Sequence, residues 1–162
     1  MSQALAQSER SGQYGAVIYL DLDNFKPLND QHGHLAGDML LQAVARRLEH
    51  CIREQDTVAR LGGDEFVVLL VNVAENLENA TILATQVAER ILRDLSKRYV
   101  LILEEHGKAS HQVEHFCSAS LGMTLFPPCE LDGEMILQRA DHAMYQAKSG
   151  GRNQLRIADV GS

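Results

Sequence analysis

The sequence predicts a single α+β domain in which helices pack against a largely antiparallel β-sheet. Short apolar runs typical of strands recur along the chain, amphipathic helical patterns separate them, and glycine-containing or polar links suit hairpins between successive strands. The helices and strands lack the regular alternation of a doubly wound parallel sheet, so a ferredoxin-like layout fits better. A length of 162 residues allows one domain with its own core.

The first half of the chain is expected to form three strands and one helix. Residues 16–23 combine apolar, β-branched and aromatic side chains, which is typical of a buried strand. In residues 37–52 the apolar side chains recur at three- and four-residue steps, which predicts an amphipathic helix. Two short strands are predicted at residues 57–61 and 65–71. The Gly-Gly pair between them has the composition of a tight hairpin turn.

The second half is expected to add two helices and three strands. Residues 78–95 have the periodicity of an amphipathic helix, and residues 135–148 are predicted to form another. Apolar runs at 99–103 and 116–126 predict two strands, and the polar stretch between them is interpreted as a hairpin loop. A last short strand is predicted within residues 150–157, after a second glycine pair.

Composition excludes several classes of protein. The net charge is −7, so the chain lacks the broad basic surface of a nucleic-acid-binding protein. No apolar stretch approaches the roughly 20 residues that cross a membrane, and the polar N-terminal residues do not resemble a secretion signal. The three cysteines are odd in number and widely spaced, which argues against disulfides and a zinc site. We expect a cytoplasmic domain without nucleic-acid partners or direct membrane insertion, although a parent protein can be tethered to a membrane.

Carboxylates gather where two predicted strands end or begin. Asp21 and Asp23 are two residues apart on the first strand and therefore point to the same side. Asp64 and Glu65 stand at the start of another strand, directly after the Gly-Gly turn. If the two strands are neighbours, these like charges converge, and a hard divalent cation such as Mg²⁺ or Mn²⁺ is the usual remedy. Such sites transfer phosphoryl and nucleotidyl groups, while solvated turn residues remain the alternative on spacing alone.

Three separated motifs carry a family resemblance. The stretch RLGGDEF at 60–66 resembles the signature of the GGDEF domain, the bacterial diguanylate cyclase family. The stretches LDLDNFKPLNDQHGHLAGD at 20–38 and ADHAMYQAKSGGRNQL at 140–155 are similar to two other segments of that family, in the same order. Because the motifs are far apart and correctly ordered, the resemblance extends over nearly the whole chain.

The resemblance implies both a fold and the limits of a domain. The fold would be the nucleotidyl-cyclase-like version of the predicted layout, and the GGDEF domain would extend over residues 15–157. Residues 1–14 lack the motif that usually opens the family, so they are expected to be a helix or the remnant of a longer protein. Residues 158–162 would form a C-terminal tail.

The resemblance also implies a reaction. Family members condense two GTP molecules into cyclic di-GMP, release two pyrophosphates, and act as homodimers. Carried onto this chain, it implies Mg²⁺ or Mn²⁺ bound by the Asp21 and Asp64 carboxylates, with the Leu22 carbonyl assisting. Asp64 and Glu65 would be the catalytic residues, and Glu65 would bind metal or activate the ribose 3′-hydroxyl. The alternative is a regulatory module that binds GTP or cyclic di-GMP without turnover.

Substrate contacts follow from the same resemblance. Guanine would be recognised by Asn29 and Asp38, because a carboxylate accepts from the N1–H and N2–H₂ groups that adenine does not offer in the same pattern. Gly62 and Gly63 would lie close to the nucleotide, since a residue without Cβ allows close approach. The phosphates would be bound by three cations, Lys26, Lys148 and Arg152. For the last two, a solvated position at a helix end is the alternative.

A second motif precedes the signature. Arg53 and Asp56 form an Arg-x-x-Asp pattern separated from Gly62 by five residues, which is the spacing of the family's product-inhibition site. Arg90, on the second predicted long helix, resembles the secondary arginine of that site. We therefore expect cyclic di-GMP to bind these three residues as an inhibitor. A chance pattern of surface charges is the alternative.

Overall fold

The computed structural model describes residues 1–104, 107, 109–129 and 132–158. The helices in this part of the chain are α1 (Ser2–Ser11), α2 (Phe25–His32), α3 (His34–His50), α4 (Leu77–Leu95) and α5 (Gly133–Ser149). The strands are β1 (Tyr14–Leu22), β2 (Thr57–Gly62), β3 (Glu65–Ala74), β4 (Tyr99–Leu103), β5 (His111–His115), β6 (Ala119–Phe126) and β7 (Leu155–Ile157). None of the helices in the described residues is long and apolar enough to cross a membrane.

Five strands form the main sheet in the order β2-β3-β1-β6-β7, with β1 at its centre. β1 pairs antiparallel with both β3 and β6, and β2 pairs antiparallel with β3. The pair formed by β6 and β7 is parallel, and β4 and β5 form a separate antiparallel sheet. The prediction of an α+β fold with a largely antiparallel sheet flanked by helices is therefore confirmed.

Alternate residues of β1 pack against helices on opposite faces of the sheet. Ile18 and Leu20 are fully buried in the main core, which also contains Leu48 of α3 and Ile91 of α4. Val17 belongs to a second cluster, with side chains of α1 and α5. Because successive strand residues point to opposite faces, one apolar strand contacts both layers of helices. This explains why the sequence of β1 is apolar on both faces until it reaches the carboxylates.

Helix α5 packs directly on β6 at Gly122. A Cβ atom at this position would lie 2.0 Å from the carbonyl oxygen of Ala140 and 2.1 Å from the backbone nitrogen of Met144. The absence of a side chain therefore lets the helix backbone contact the strand. This contact holds α5, with Lys148 in its last turn, close to the strand that neighbours β1.

The predicted pairing of the strands after α4 is wrong. The partner of β4 is β5, which lies within the stretch interpreted as a loop, whereas β6 belongs to the main sheet and begins at Ala119, later than predicted. The sequence of β5 is HQVEH, and Val113 is its buried residue. A five-residue polar edge strand with one apolar side chain shows too little alternation to be distinguished from a loop.

The other predicted elements are confirmed with small changes of boundary. The N-terminal residues form α1, and Leu5 of this helix is buried in the second core cluster. Pro27 lies in the first turn of α2, a position that tolerates proline. Residues 105, 106 and 108 of the predicted loop and residues 159–162 of the predicted tail lie outside the described residues. The proposed domain limits remain a prediction.

Candidate active site

The ends of β1 and β3 bring the predicted acidic residues together. Asp21 lies directly opposite Glu65 in the antiparallel register. The backbone nitrogen of Leu22 donates a hydrogen bond to the carbonyl oxygen of Asp64 at 3.2 Å. Like charges placed opposite each other destabilise a strand pair. The adjoining strand ends therefore form an acidic site that favours a bound cation.

Asp21 has one carboxylate oxygen with a partner and one without. Its Oδ2 atom forms an ion pair with Nζ of Lys148 at 2.7 Å. Its Oδ1 atom is buried and has no hydrogen-bond partner among the described residues. Burial raises the pKa of the Asp21 carboxyl above its ordinary value; the hydrogen bond from Lys148 opposes this shift, and the charges of Asp64 and Glu65 add to it. The unpartnered oxygen is therefore available to a cation from outside the chain.

Glu65 is held by a residue that the three motifs do not identify. The Tyr19 hydroxyl, two residues before Asp21 on the same face of β1, donates a hydrogen bond to Oε2 of Glu65 at 3.3 Å. Burial and the negative charge of Glu65 raise the pKa of Tyr19 to about 12. The phenol consequently remains a donor at neutral pH. An aromatic residue in an apolar strand usually indicates core packing. The signal that could have identified Tyr19 is the alternation of β1, which places it on the same face as Asp21.

Asp23, which the sequence groups with Asp21, has a different environment. It lies just beyond the end of β1, and it is 2% exposed. Its carboxylate accepts hydrogen bonds from the Oγ atoms of Ser118 and Ser120 at 2.6 and 2.8 Å. It also accepts one from the backbone nitrogen of Asn153 at 3.1 Å. The hydrogen bonds of the Asp23 carboxylate are thus provided by the protein itself. The predicted convergence of carboxylates consists of the other three residues, Asp21, Asp64 and Glu65.

A cleft of about 260 Å³ opens beside these strand ends. Carboxylates and cations line it together. The predicted phosphate-binding cations Lys26, Lys148 and Arg152 all lie in its walls, with Asp21, Leu22 and Asp64. Lys148 is paired with Asp21, whereas no acidic group in the described part of the chain pairs with Lys26 or Arg152. This arrangement suits a polyphosphate that arrives with a metal ion.

The predicted guanine-binding residues lie on the neighbouring helices. Asn29 is in α2, and a Cβ atom at Gly37 of α3 would lie 1.8 Å from its Oδ1 atom. The Oδ1 atom of Asn29 is buried without a hydrogen-bond partner among the described residues. Asp38, which follows Gly37 in the sequence, is exposed. Neither residue lines the 260 Å³ cleft, although the first turn of α2 does. Gly37 therefore gives Asn29 its space, and Asp38, the next residue of α3, offers an exposed carboxylate as a hydrogen-bond acceptor.

Gly62 and Gly63 lie at the turn between β2 and β3 and are exposed. Gly63 has a φ of +52°, in the left-handed region that favours glycine, and its carbonyl oxygen accepts a hydrogen bond from Nε of Arg60 at 2.9 Å. A Cβ atom on either glycine would meet no described atom within 4 Å. The turn therefore leaves open space in front of Asp64, but neither glycine lines the cleft.

A second cavity, of about 80 Å³, lies between β3 and α4 and brings together Arg53, Asp56 and Arg90. The Asp56 carboxylate accepts hydrogen bonds from the backbone nitrogens of Arg53 at 3.0 Å and Val71 at 3.1 Å. Neither guanidinium group has an acidic partner in the part of the chain that the structure describes. The cavity therefore offers two unneutralised cations beside an apolar lining.

The acidic site does not contain a complete set of protein ligands for a metal. Among the described residues, no group of three or more His, Cys, Asp or Glu side chains is arranged to hold an ion. The donors near the unpartnered Oδ1 atom of Asp21 are nevertheless carboxylate and carbonyl oxygens, which Mg²⁺ and Mn²⁺ prefer. Mg²⁺ is commonly bound by one or two carboxylates plus substrate phosphates. The residues present therefore fit a hard ion whose remaining ligands come from a nucleotide.

Comparison with known proteins identifies the family. The family model "Diguanylate cyclase, GGDEF domain" matches residues 1–154. The chain belongs to the GGDEF domain family. It is 40% identical over 153 residues to MucR of Pseudomonas aeruginosa, named a bifunctional diguanylate cyclase/cyclic di-GMP phosphodiesterase, in a match that covers 94% of this chain and 20% of MucR. The chain spans about a fifth of the length of several curated relatives that it matches.

Solved structures of GGDEF domains have the same fold. The GGDEF domain of TpbB (YfiN) from Pseudomonas aeruginosa matches with a TM-score of 0.81 and 34% identity, over 99% of this chain and 91% of that one. The GGDEF domain of DgcB from Caulobacter crescentus, solved in complex with c-di-GMP, matches with a TM-score of 0.78 and 29% identity, over 98% and 86% of the two chains. The family resemblance inferred from the three motifs is confirmed.

Proposed function

We propose that this domain is a diguanylate cyclase that condenses two GTP molecules into cyclic di-GMP and two pyrophosphates. The proposal depends chiefly on one observation: Asp21, which lies opposite Glu65 in the sheet, lines a cleft together with Asp64 and three cations. The description of the family and the names of relatives support the same reaction. We also propose a cytoplasmic location, where GTP is available.

In the proposed reaction, the ribose 3′-oxygen of one GTP attacks the α-phosphorus of the other. A bond forms between these two atoms, the bond from the α-phosphorus to the bridging oxygen of the β-phosphate breaks, and pyrophosphate leaves. Glu65 accepts the proton of the 3′-hydroxyl, and the hydrogen bond from Tyr19 keeps its carboxylate oriented toward the strand end. The same exchange with the two nucleotides reversed closes the ring.

The acidic and basic residues of the cleft would bind different parts of the substrate. The Asp21 and Asp64 carboxylates and the Leu22 carbonyl would hold Mg²⁺ or Mn²⁺ together with the polyphosphate. When bound, such an ion stabilises negative charge on the reacting phosphate. The β- and γ-phosphates are held by the cations that line the cleft, Lys26, Lys148 and Arg152. Occupation of Asp21 by an ion would free the ammonium group of Lys148 for the phosphates.

Guanine selectivity is proposed to come from Asn29 and Asp38. The exposed Asp38 carboxylate accepts hydrogen bonds from the N1–H and N2–H₂ groups of guanine, and the amide group of Asn29 binds the same base. One chain supplies one such pair and one cleft, whereas the reaction needs two GTP molecules. The active assembly is therefore proposed to be a homodimer in which two clefts face each other.

We propose that cyclic di-GMP inhibits the domain by binding at the second cavity. The guanidinium groups of Arg53 and Arg90 suit the phosphates of the product, and the Asp56 carboxylate suits a guanine. A cavity of about 80 Å³ accepts one edge of this ligand, so the remainder would lie across the surface of α4. The DgcB domain, solved with c-di-GMP, supports product binding by a chain of this fold.

The decisive experiment is incubation of the chain with GTP and Mg²⁺ at high protein concentration, followed by separation of the nucleotides. We expect cyclic di-GMP to accumulate with twice as much pyrophosphate. Asp64→Ala should abolish the product, because it removes a carboxylate from the metal site. Glu49→Gln, which neutralises an exposed carboxylate on α3, is a matched control and should retain the wild-type rate. Bound GTP without any product would contradict the cyclase proposal.

A second candidate function is a regulatory module that binds GTP or cyclic di-GMP without turnover. It is favoured by the incomplete metal site in the described residues and by the ion pair that occupies one oxygen of Asp21. The same incubation separates the two candidates. Nucleotide binding in calorimetry, with unchanged GTP after prolonged incubation, would support the binding module.

A further inference from the structure

Asp23 joins three segments that are far apart in the sequence. Its Oδ2 atom accepts hydrogen bonds from Oγ of Ser118 and from the backbone nitrogen of Asn153, and its Oδ1 atom accepts one from Oγ of Ser120. The backbone nitrogen of Asp23 donates to the carbonyl oxygen of Ser118 at 2.8 Å. A buried carboxylate with donors on both oxygens has a strongly preferred position, because moving it leaves several polar groups unpaired.

The segment that Asp23 holds has a demanding backbone. Gly151, Arg152 and Asn153 have φ angles of +119°, +63° and +44°. Non-glycine residues seldom adopt such values, and two in succession persist only where surrounding contacts hold them. On one side, the backbone nitrogen of Arg152 donates to the carbonyl oxygen of Ala147 at 3.0 Å, at the end of α5. On the other side, the hydrogen bond from Asn153 to Asp23 holds the chain before β7 begins.

Arg152 therefore lies between two anchors, and this residue lines the cleft together with Asp21 and Lys148. A long flexible side chain reaches a defined place only if its own backbone is fixed. We propose that Asp23 is a positioning residue for Arg152: it holds the turn at residues 151–153 so that the guanidinium group meets the phosphates of the nucleotide. This role rests on the proposed function, in which Arg152 binds GTP.

A direct metal-binding role for Asp23 fits the structure less well. Both oxygens already accept hydrogen bonds, and the side chain is 2% exposed. An ion at Asp23 would have to displace serine hydroxyls and release the turn that carries Arg152. Asp21 and Asp23 thus differ in role, since one oxygen of Asp21 lacks a hydrogen-bond partner among the described residues whereas both oxygens of Asp23 have one.

The test compares Asp23→Asn, Arg152→Ala and the double variant in the full chain. The binding of GTP is measured by calorimetric titration with Mg²⁺, and KM, kcat and the Mg²⁺ concentration for half-maximal rate are measured in the product assay. We expect each single variant to weaken GTP binding by about tenfold, as for loss of one charge-assisted hydrogen bond. The double variant should be no weaker than Arg152→Ala, and the Mg²⁺ requirement of Asp23→Asn should match that of the wild type.

Each other outcome is also informative. Losses that multiply in the double variant, or a raised Mg²⁺ requirement in Asp23→Asn alone, would overturn the positioning role. If Asp23→Asn does not fold in circular dichroism, Asn153→Ala replaces it, because alanine tolerates the left-handed conformation less well than asparagine. Unchanged GTP affinity in that folded variant would overturn the role. A wild-type chain that binds no GTP would overturn the proposed function, and this role with it.

Discussion

The cleft at the end of β1 and the start of β3 and the cavity beside Arg53 and Arg90 lie along the same strand but differ in the charged groups that lack a partner. Asp64, directly before β3, lines the cleft, whereas Val71 within the strand lines the cavity. In the cleft a carboxylate oxygen of Asp21 lacks a hydrogen-bond partner among the described residues, and Lys26 and Arg152 lack acidic partners there. In the cavity the acidic Asp56 is satisfied by backbone nitrogens, and the guanidinium groups lack partners in the described chain.

This difference indicates what each region needs from a ligand. The unpartnered Asp21 oxygen suits a cation, so the ligand proposed for the cleft brings a metal ion as well as phosphate. The unpaired guanidinium groups of the cavity suit an anion, and the apolar lining suits the face of a base. On the proposed function, substrate with metal binds in the cleft and the metal-free product binds in the cavity. Changes in the cleft should therefore alter turnover, and changes in the cavity should alter inhibition.

The largest expected effect comes from Glu65→Gln at the start of β3. This change keeps the size of the side chain but removes the proposed base for the 3′-hydroxyl proton, so kcat should fall by about 10²–10⁴-fold. GTP binding, measured by calorimetry, should change little because the phosphate and guanine contacts remain. A variant that keeps most of its kcat would show that Glu65 is not the base.

Arg53→Ala tests the cavity. Removal of one guanidinium group should weaken cyclic di-GMP binding by about 10–100-fold, as expected for the loss of charge-assisted hydrogen bonds. The initial rate without product should equal that of the wild type, because the cavity is separate from the cleft. The matched control is Arg46→Ala, an exposed arginine on α3, which should leave inhibition unchanged. Equal product affinity in both variants would mean that Arg53 is only a surface charge.

Tyr19→Phe separates the positioning of Glu65 from its chemistry. The variant keeps the aromatic ring in the sheet but removes the donor to Oε2 of Glu65, so kcat should fall by up to about tenfold while KM stays constant. Since burial raises the pKa of Tyr19 to about 12, the wild-type donor persists through neutral pH. The loss of kcat in the variant should therefore be the same at each point of a pH–rate profile across neutral pH. An unchanged rate would show that the hydrogen bond is incidental.

The smallest expected effect is a gain in stability from Asp21→Asn. The folded-state pKa of Asp21 is raised, so the ionised carboxylate destabilises the fold at neutral pH, and this cost disappears as the pH falls below the ordinary value of 3.8. The metal-free variant should unfold about 2–4 °C higher than the wild type at pH 7, which corresponds to about 1 kcal/mol for a chain of this size. Differential scanning calorimetry at pH 7 and pH 3 measures the Tm of the variant and of the wild type, and the gain should disappear at pH 3. A lower Tm for the variant at pH 7 would contradict the raised pKa of Asp21.

Much of the fold could be predicted from local patterns. The long helices have clear apolar periodicity, and the Gly-Gly pair predicts the hairpin between β2 and β3. β5 could not be found, because its five residues include one buried side chain. Its membership of a sheet is decided by the neighbouring β4 and not by its own composition.

The sequence indicates which types of residue gather at the candidate site, but it does not indicate what each residue does there. Asp21 and Asp23 look equivalent in sequence, since both belong to the same Asp-x-Asp pattern. Their surroundings differ because the partners of Asp23, which are Ser118, Ser120 and Asn153, lie 95, 97 and 130 residues later in the sequence. Tyr19 was hidden for the same reason, as its partner is on another strand. Side-chain contacts across the sheet carry this information, and local spacing does not.

Gly122 makes the end of the cleft that contains Lys148 and Arg152 sensitive to a mutation where β6 contacts α5. A single methyl group there would collide with the helix backbone at Ala140 and Met144 and force α5 outward. Since Lys148 ends this helix and the turn with Arg152 follows it, both cations would be carried away from Asp21. The spacing between one helix and one strand thus determines how far two cations of the cleft lie from its carboxylates.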